Sequence, residues 1–152
     1  MNTLNKLAIA SLFALALPAL AAEQPGCESG VCALNAAPVS EEGFQLLTTG
    51  EMKKVVDAKA ATILDARAGK YDDGKRIPGA KSLNSESKKE EVEKALPSKA
   101  APVVTYCSNL KCPASGMLAK HLKDLGYTNI REYPEGIKGW VEAGNPVEPA
   151  KK

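Results

Sequence analysis

Apolar residues recur along this chain with changing period, and the changes mark its elements. The first apolar run, residues 7–17, follows Lys6 and is too short to span a bilayer as a helix. Pro18 breaks it and Ala19-Leu20-Ala21 follows, which predicts a signal peptide over residues 1–21 with cleavage near Ala22. Residues 22–42 hold small residues and prolines without apolar period, so a flexible leader is expected there. The pattern changes at Phe44. Thr48-Thr49-Gly50-Glu51 has capping-box form ahead of Met52, Val55 and Val56, which share one helical face. Thr62-Ile63-Leu64, ending at Asp65, predicts a buried strand. Ser87-Lys88-Lys89-Glu90 is a second capping-box sequence, and the stripe of Val92, Ala95 and Leu96 stops at Pro97. Pro102-Val103-Val104-Thr105-Tyr106 reads as another buried strand, running into Cys107. Pro113 opens the clearest helix, whose apolar face is Ala114, Met117, Leu118, Leu122 and Leu125, with Gly126 as its stop. A weaker strand over residues 129–133 leads to a helical turn around Ile137 and Trp140 that ends at Gly144-Asn145-Pro146. Strands alternating with helices predict an α/β domain over residues 43–148, with a parallel sheet covered on both faces and a tail over 149–152. In such sheets ligands sit beyond the carboxyl ends of the strands.

Composition narrows the partners. Twenty basic residues against eighteen acidic ones leave +2 on 152 residues, which gives no electrostatic case for nucleic acid or an anionic membrane. No membrane association is expected once the signal peptide is removed. Export predicts a periplasmic or otherwise secreted protein with its four cysteines in an oxidising space. His121, the only histidine, lies beside Leu122 on the predicted helix and reads as a solvated surface residue, so neither a metal site nor a cofactor is implied.

The sharpest chemical feature is Cys107-Ser108-Asn109-Leu110-Lys111-Cys112-Pro113, where a strand delivers a cysteine into a short loop that opens into a helix. Backbone amides of Ser108, Asn109, Leu110, Lys111 and Cys112, together with the helix start, would favour a thiolate or a bound anion. Lys111 is the only cation within the loop and could steer an anion or simply be solvated. Cys27-Glu28-Ser29-Gly30-Val31-Cys32 repeats the four-residue gap in the leader, as an exchanging dithiol or a plain disulfide. Four cysteines allow three full pairings, and the most local, Cys27 with Cys32 and Cys107 with Cys112, needs the least chain ordering.

Four segments in order, Asp65-Ala66-Arg67, Arg76-Ile77-Pro78-Gly79-Ala80, Tyr106-Cys107-Ser108, and residues 135–147 from Glu135-Gly136 onward, resemble the signatures of the rhodanese family. The resemblance covers about residues 44–148. It implies a single rhodanese-like domain in which Cys107 accepts sulfane sulfur as a persulfide, from a small sulfur-containing anion or a thiol or persulfide donor, and passes it to a thiophilic acceptor. It also implies that Asp65 and Arg67 pair structurally near a strand end, with Arg67 and Arg76 as candidates for shaping a positive field. The six-residue 107–112 loop matches the shorter rhodanese type, not the longer phosphate-binding loop of similarly folded phosphatases. The chain departs from the family pattern at the loop's end, where many active rhodaneses carry Arg and this sequence has Cys112. Cys112 is therefore a candidate resolving thiol. Two other readings stand beside sulfur transfer: thiol–disulfide exchange through Cys107 and Cys112 with a redox partner protein, and a non-catalytic module that reuses the fold.

Overall fold

The computed structural model describes residues 38–150, so the predicted signal peptide, Cys27 and Cys32 lie outside the described residues. Its elements run β1 (Gln45–Leu46), α1 (Thr49–Asp57), β2 (Thr62–Asp65), β3 (Lys75–Arg76), β4 (Lys81–Ser82), α2 (Lys89–Ala95), β5 (Val103–Tyr106), α3 (Ala114–Asp124), β6 (Ile130–Tyr133), α4 (Gly136–Glu142) and β7 (Glu148–Pro149). Five strands form one sheet in the order β1-β6-β5-β2-β4, and every pairing within it is parallel. β3 and β7 form a separate antiparallel ribbon.

Both faces of the sheet are buried because side chains alternate along the strands. Leu64, Val103 and Ile130 point to the layer of α2 and α3, where they meet Val92, Leu118 and Leu122. Ile63, Val104, Tyr106 and Tyr133 point the other way, to Met52, Val55, Ile137 and Trp140 from α1 and α4. The α/β architecture expected from the alternation of elements is the one present.

The local signals of the sequence correspond unevenly to the structure. Thr48 caps α1 as expected: its hydroxyl accepts from the Glu51 amide, and the Glu51 carboxylate accepts from the Thr48 amide at 2.8 Å. At α2 the frame is one residue later than Ser87 predicts. The Lys88 amide donates to Glu91 at 3.1 Å, while the Ser87 hydroxyl accepts from the Asn84 amide in the preceding turn. Met117, expected on the buried face of α3, is 54% exposed, and Ser115 is buried in the same helix. His121 is half-buried, and its Nε2 lies 3.0 Å from the Ser87 carbonyl, which ties α3 to the segment before α2. Paired backbone also begins ahead of residue 43, since Leu46 donates to the Pro38 carbonyl and Val39 bridges Gln45. At the other end it runs past residue 148, with Pro149 opposite Lys75.

The registers Asp65↔Tyr106 and Tyr106↔Tyr133 leave the carboxyl ends of β2, β5 and β6 level. The loops that follow these three strands therefore emerge along one edge.

Candidate functional site

Cys107 leaves that edge directly after β5. It is 2% exposed and is bonded to Cys112, with the two Cα atoms 6.3 Å apart. That separation lies within the span a disulfide bridges without moving backbone. Local sequence explains how the chain returns so quickly. The Asn109 side chain accepts from the Lys111 amide at 2.9 Å, and its carbonyl accepts from the Cys112 amide at 3.0 Å, closing a tight turn. Proline at 113 disfavours helical backbone at Cys112 and has no N–H to leave unpaired, so the thiol sits just outside α3. The Pro113 carbonyl then accepts from Met117 as the helix begins.

α4 grips the loop from the opposite side. The Ile137 and Lys138 amides donate to the carbonyls of Cys107 and Ser108 at 2.9 and 3.0 Å. Gly136 makes this approach feasible. Its φ is +63°, and a Cβ there would press into the Cys107 carbonyl and lie 2.7 Å from Ser108 C and 2.8 Å from Asn109 N.

The amides expected to form an anion cradle are partly engaged already. Those of Lys111 and Cys112 donate within the loop, which leaves Ser108, Asn109 and Leu110 to supply N–H groups. The start of α3 also faces an acid. Ser115 Oγ donates to Glu132 at 2.7 Å, and the carboxylate would stand 3.7–3.8 Å from a Cβ on Gly116. Glu132 is buried on β6 and takes part of the helix field that the cysteines would otherwise receive alone.

The loop side chains divide between two depressions. Cys107 and Cys112 line a cleft of about 220 Å³ with Ala66, Arg67, Tyr71, Asn84, Glu86 and Met117. Asn109, Leu110 and Lys111 line a neighbouring depression against Glu135, Lys138 and Glu142. Ser108 stays at the cysteine, with its Oγ 3.9 Å from Cys107 Sγ.

Arg67 and Arg76 are held in a network of acids. Asp65 accepts from Arg67 Nε at 3.0 Å and Nη2 at 2.8 Å, from the Tyr106 hydroxyl at 2.6 Å, and lies 3.3 Å from Arg76 Nε. Asp73 takes Arg67 Nη1 at 2.8 Å, and Asp72 takes both Arg76 Nη atoms at 2.6 and 2.5 Å. Burial alone would lower the Arg67 pKa, but the hydrogen bonds and charge of Asp65, with Asp73, raise it above its ordinary value. The Arg76 hydrogen bonds hold the Asp72 carboxyl down at about 2. Burial, then the Asp65 charge, pushes the Tyr106 hydroxyl up. Three carboxylates thus surround two guanidinium groups, so the pair supplies no free positive field to the cleft. The structural pairing of Asp65 with Arg67 is present, whereas the field expected from Arg67 and Arg76 is not. Nothing in the sequence pattern marked Asp72 or Asp73 as the partners. The pattern gives no sign of the Ser115–Glu132 pair either, and Gly136 stands only within a family-like segment without a role of its own. The Glu135-Gly136 step was the one available signal, because a glycine opening a helix hints at close backbone approach.

Among the described residues, no group of three or more His, Cys, Asp or Glu side chains is placed to hold a metal ion.

Solved structures of similar architecture include the BH2092 protein of Bacillus halodurans, with 23% identity, a TM-score of 0.59, and 66% of this chain and 74% of that one covered. The Alr3790 protein of Anabaena matches at 21% identity and a TM-score of 0.58, covering 67% of this chain and 79% of that one. A thiosulfate sulfurtransferase of Pseudomonas aeruginosa matches at 22% identity and a TM-score of 0.56, covering 72% of this chain but only 21% of its own. At these identities the likeness speaks to the fold. No curated protein matches the sequence. The rhodanese-like domain model matches residues 48–143, taking in both helices that frame the cysteine loop and every strand of the parallel sheet except β1. With that match, a parallel sheet of this order and a cysteine at the end of its central strand, the chain belongs to the rhodanese-like domain family.

Proposed function

We propose that this rhodanese-like domain works as a thiol–disulfide exchange protein, with Cys107 and Cys112 as its redox pair. The observation that carries the reading is the bonded pair itself, closed across a six-residue loop at the strand end. The surroundings support it. Arg67, the one cation lining the cleft among the described residues, is held by Asp65 and Asp73, so a divalent sulfur oxyanion gains little there. The exchange balances without a cofactor. A thiolate of a partner dithiol attacks one sulfur of the disulfide, the other sulfur leaves as a thiolate, and the partner's second thiolate resolves the mixed disulfide. The partner is oxidised by two electrons and the Cys107–Cys112 pair is reduced. A more oxidising disulfide, as the predicted export to an oxidising compartment would supply, would return the pair to its disulfide form by the same exchange in reverse and be reduced to a dithiol itself.

Sulfur transfer through Cys107 is the second reading, favoured by the family match and by the position of Cys107 after β5. It begins from the reduced pair. Attack by the Cys112 thiolate on Cys107 Sγ of a persulfide would break the bond to the outer sulfur, release hydrosulfide and form the same disulfide. The two readings part at Cys112. In turnover assays with a reduced dithiol protein as electron donor, Cys107→Ser and Cys112→Ser should each abolish exchange. A Cys112→Ser protein that retains wild-type exchange overturns the leading reading, and one that also gains a long-lived persulfide with thiosulfate establishes the second.

A further inference from the structure

The two sulfurs of the disulfide are not equivalent to an incoming thiol. Cys107 is 2% exposed at the strand end, fixed through its carbonyl by Ile137 and bordered by Ser108 Oγ at 3.9 Å. Cys112 is half-buried, at the mouth of α3, and Met117, which lines the same cleft, is 54% exposed. A thiolate must reach its target sulfur from the side opposite the sulfur that leaves, so which end is attacked depends on access behind each one. Behind a buried sulfur that approach requires the protein to open. At the less buried Cys112 it requires less opening.

We infer that Cys112, not Cys107, is the sulfur that an external thiol attacks. The inference rests on the exchange reading above and specifies its chemistry. The partner thiolate bonds to Cys112 Sγ, the Cys107–Cys112 bond breaks, and its electron pair stays on Cys107. The amides of Ser108, Asn109 and Leu110, the ones not engaged by Asn109, are the donors available to the resulting Cys107 thiolate. The mixed disulfide is then carried at the rim of the cleft while the thiolate is kept inside. This ordering reverses the roles that the family resemblance suggests, in which the strand-end cysteine meets the external reactant.

The test uses the full mature chain in its oxidised form and glutathione as the probe. After brief reaction, acid quenching and alkylation of free thiols, peptide mapping by mass spectrometry locates both labels. The expected result is glutathione on Cys112 and the alkyl group on Cys107, with the opposite arrangement severalfold rarer. Glutathione on Cys107, or an even division, overturns the inference while leaving exchange intact. No glutathione on either cysteine, with the disulfide unchanged, overturns both the inference and the exchange reading.

Discussion

A single backbone conformation at Gly136 holds the 107–112 loop in place. With φ at +63° and its missing Cβ facing Ser108 and Asn109, this residue allows the first turn of α4 to reach the carbonyls of Cys107 and Ser108. Gly136→Ala should destabilise the domain by about 1–3 kcal/mol from backbone strain alone, with the clash added to that. Equilibrium urea unfolding reads the loss, and native-like stability would mean that α4 can move away from the loop at little cost. The sequence announces a glycine here but not its role, because a closing distance between β5 and α4 is a tertiary fact. Thr48 and Glu51 were legible for the opposite reason: their bonds close within four residues of chain. Met117 falls between these cases. It has the right helical spacing for the core, yet that stretch of α3 sits over the cleft edge and not over the sheet, so periodicity reports a stripe without reporting its cover.

At the level of elements, the turn between β2 and β4 is organised by charge. Asp72 accepts two hydrogen bonds from Arg76, and its carboxyl is held at about 2 against an ordinary 3.8. A depressed carboxyl pKa means that the unfolded chain takes up a proton first as pH falls. The stabilisation from Asp72 is therefore full above about pH 4 and is lost as pH drops toward 2. Wild type should exceed Asp72→Asn in stability by a constant margin at neutral pH, and the margin should close across that acid window. A margin that stays constant down to pH 2 would show that the Arg76 contact does not favour the charged form. The same cluster shows the limit of reading motifs one at a time. Asp65-Ala66-Arg67 and Arg76-Ile77-Pro78-Gly79-Ala80 are visible as segments, but the neutralisation of both arginines depends on Asp72 and Asp73 in the intervening turn, which carries no periodicity. The two-residue strands β1, β3, β4 and β7 escaped notice for a related reason, since two positions cannot display an alternation.

For the whole molecule, Cys107 is buried but neither apolar cluster includes the disulfide. Reduction should leave the fold intact and lower its stability by about 2 kcal/mol, the chain-entropy effect of opening so short a ring. Thermal unfolding with and without reductant, both with Cys27→Ser and Cys32→Ser to remove the other thiols, should place the oxidised form several degrees higher. Loss of cooperative unfolding on reduction would mean instead that the disulfide is a structural staple. The sheet was legible from its long central strands, whereas the ribbon that completes the fold was not. β7 pairs with β3 antiparallel, Glu148 accepts from the Gly79 amide at 2.8 Å, and Ala150 donates to the Gly74 carbonyl. During synthesis β3 emerges long before its partner does. A chain truncated after Glu142 should therefore keep every strand of the parallel sheet, yet leave the segment carrying Arg76 with an unpaired edge open to other chains.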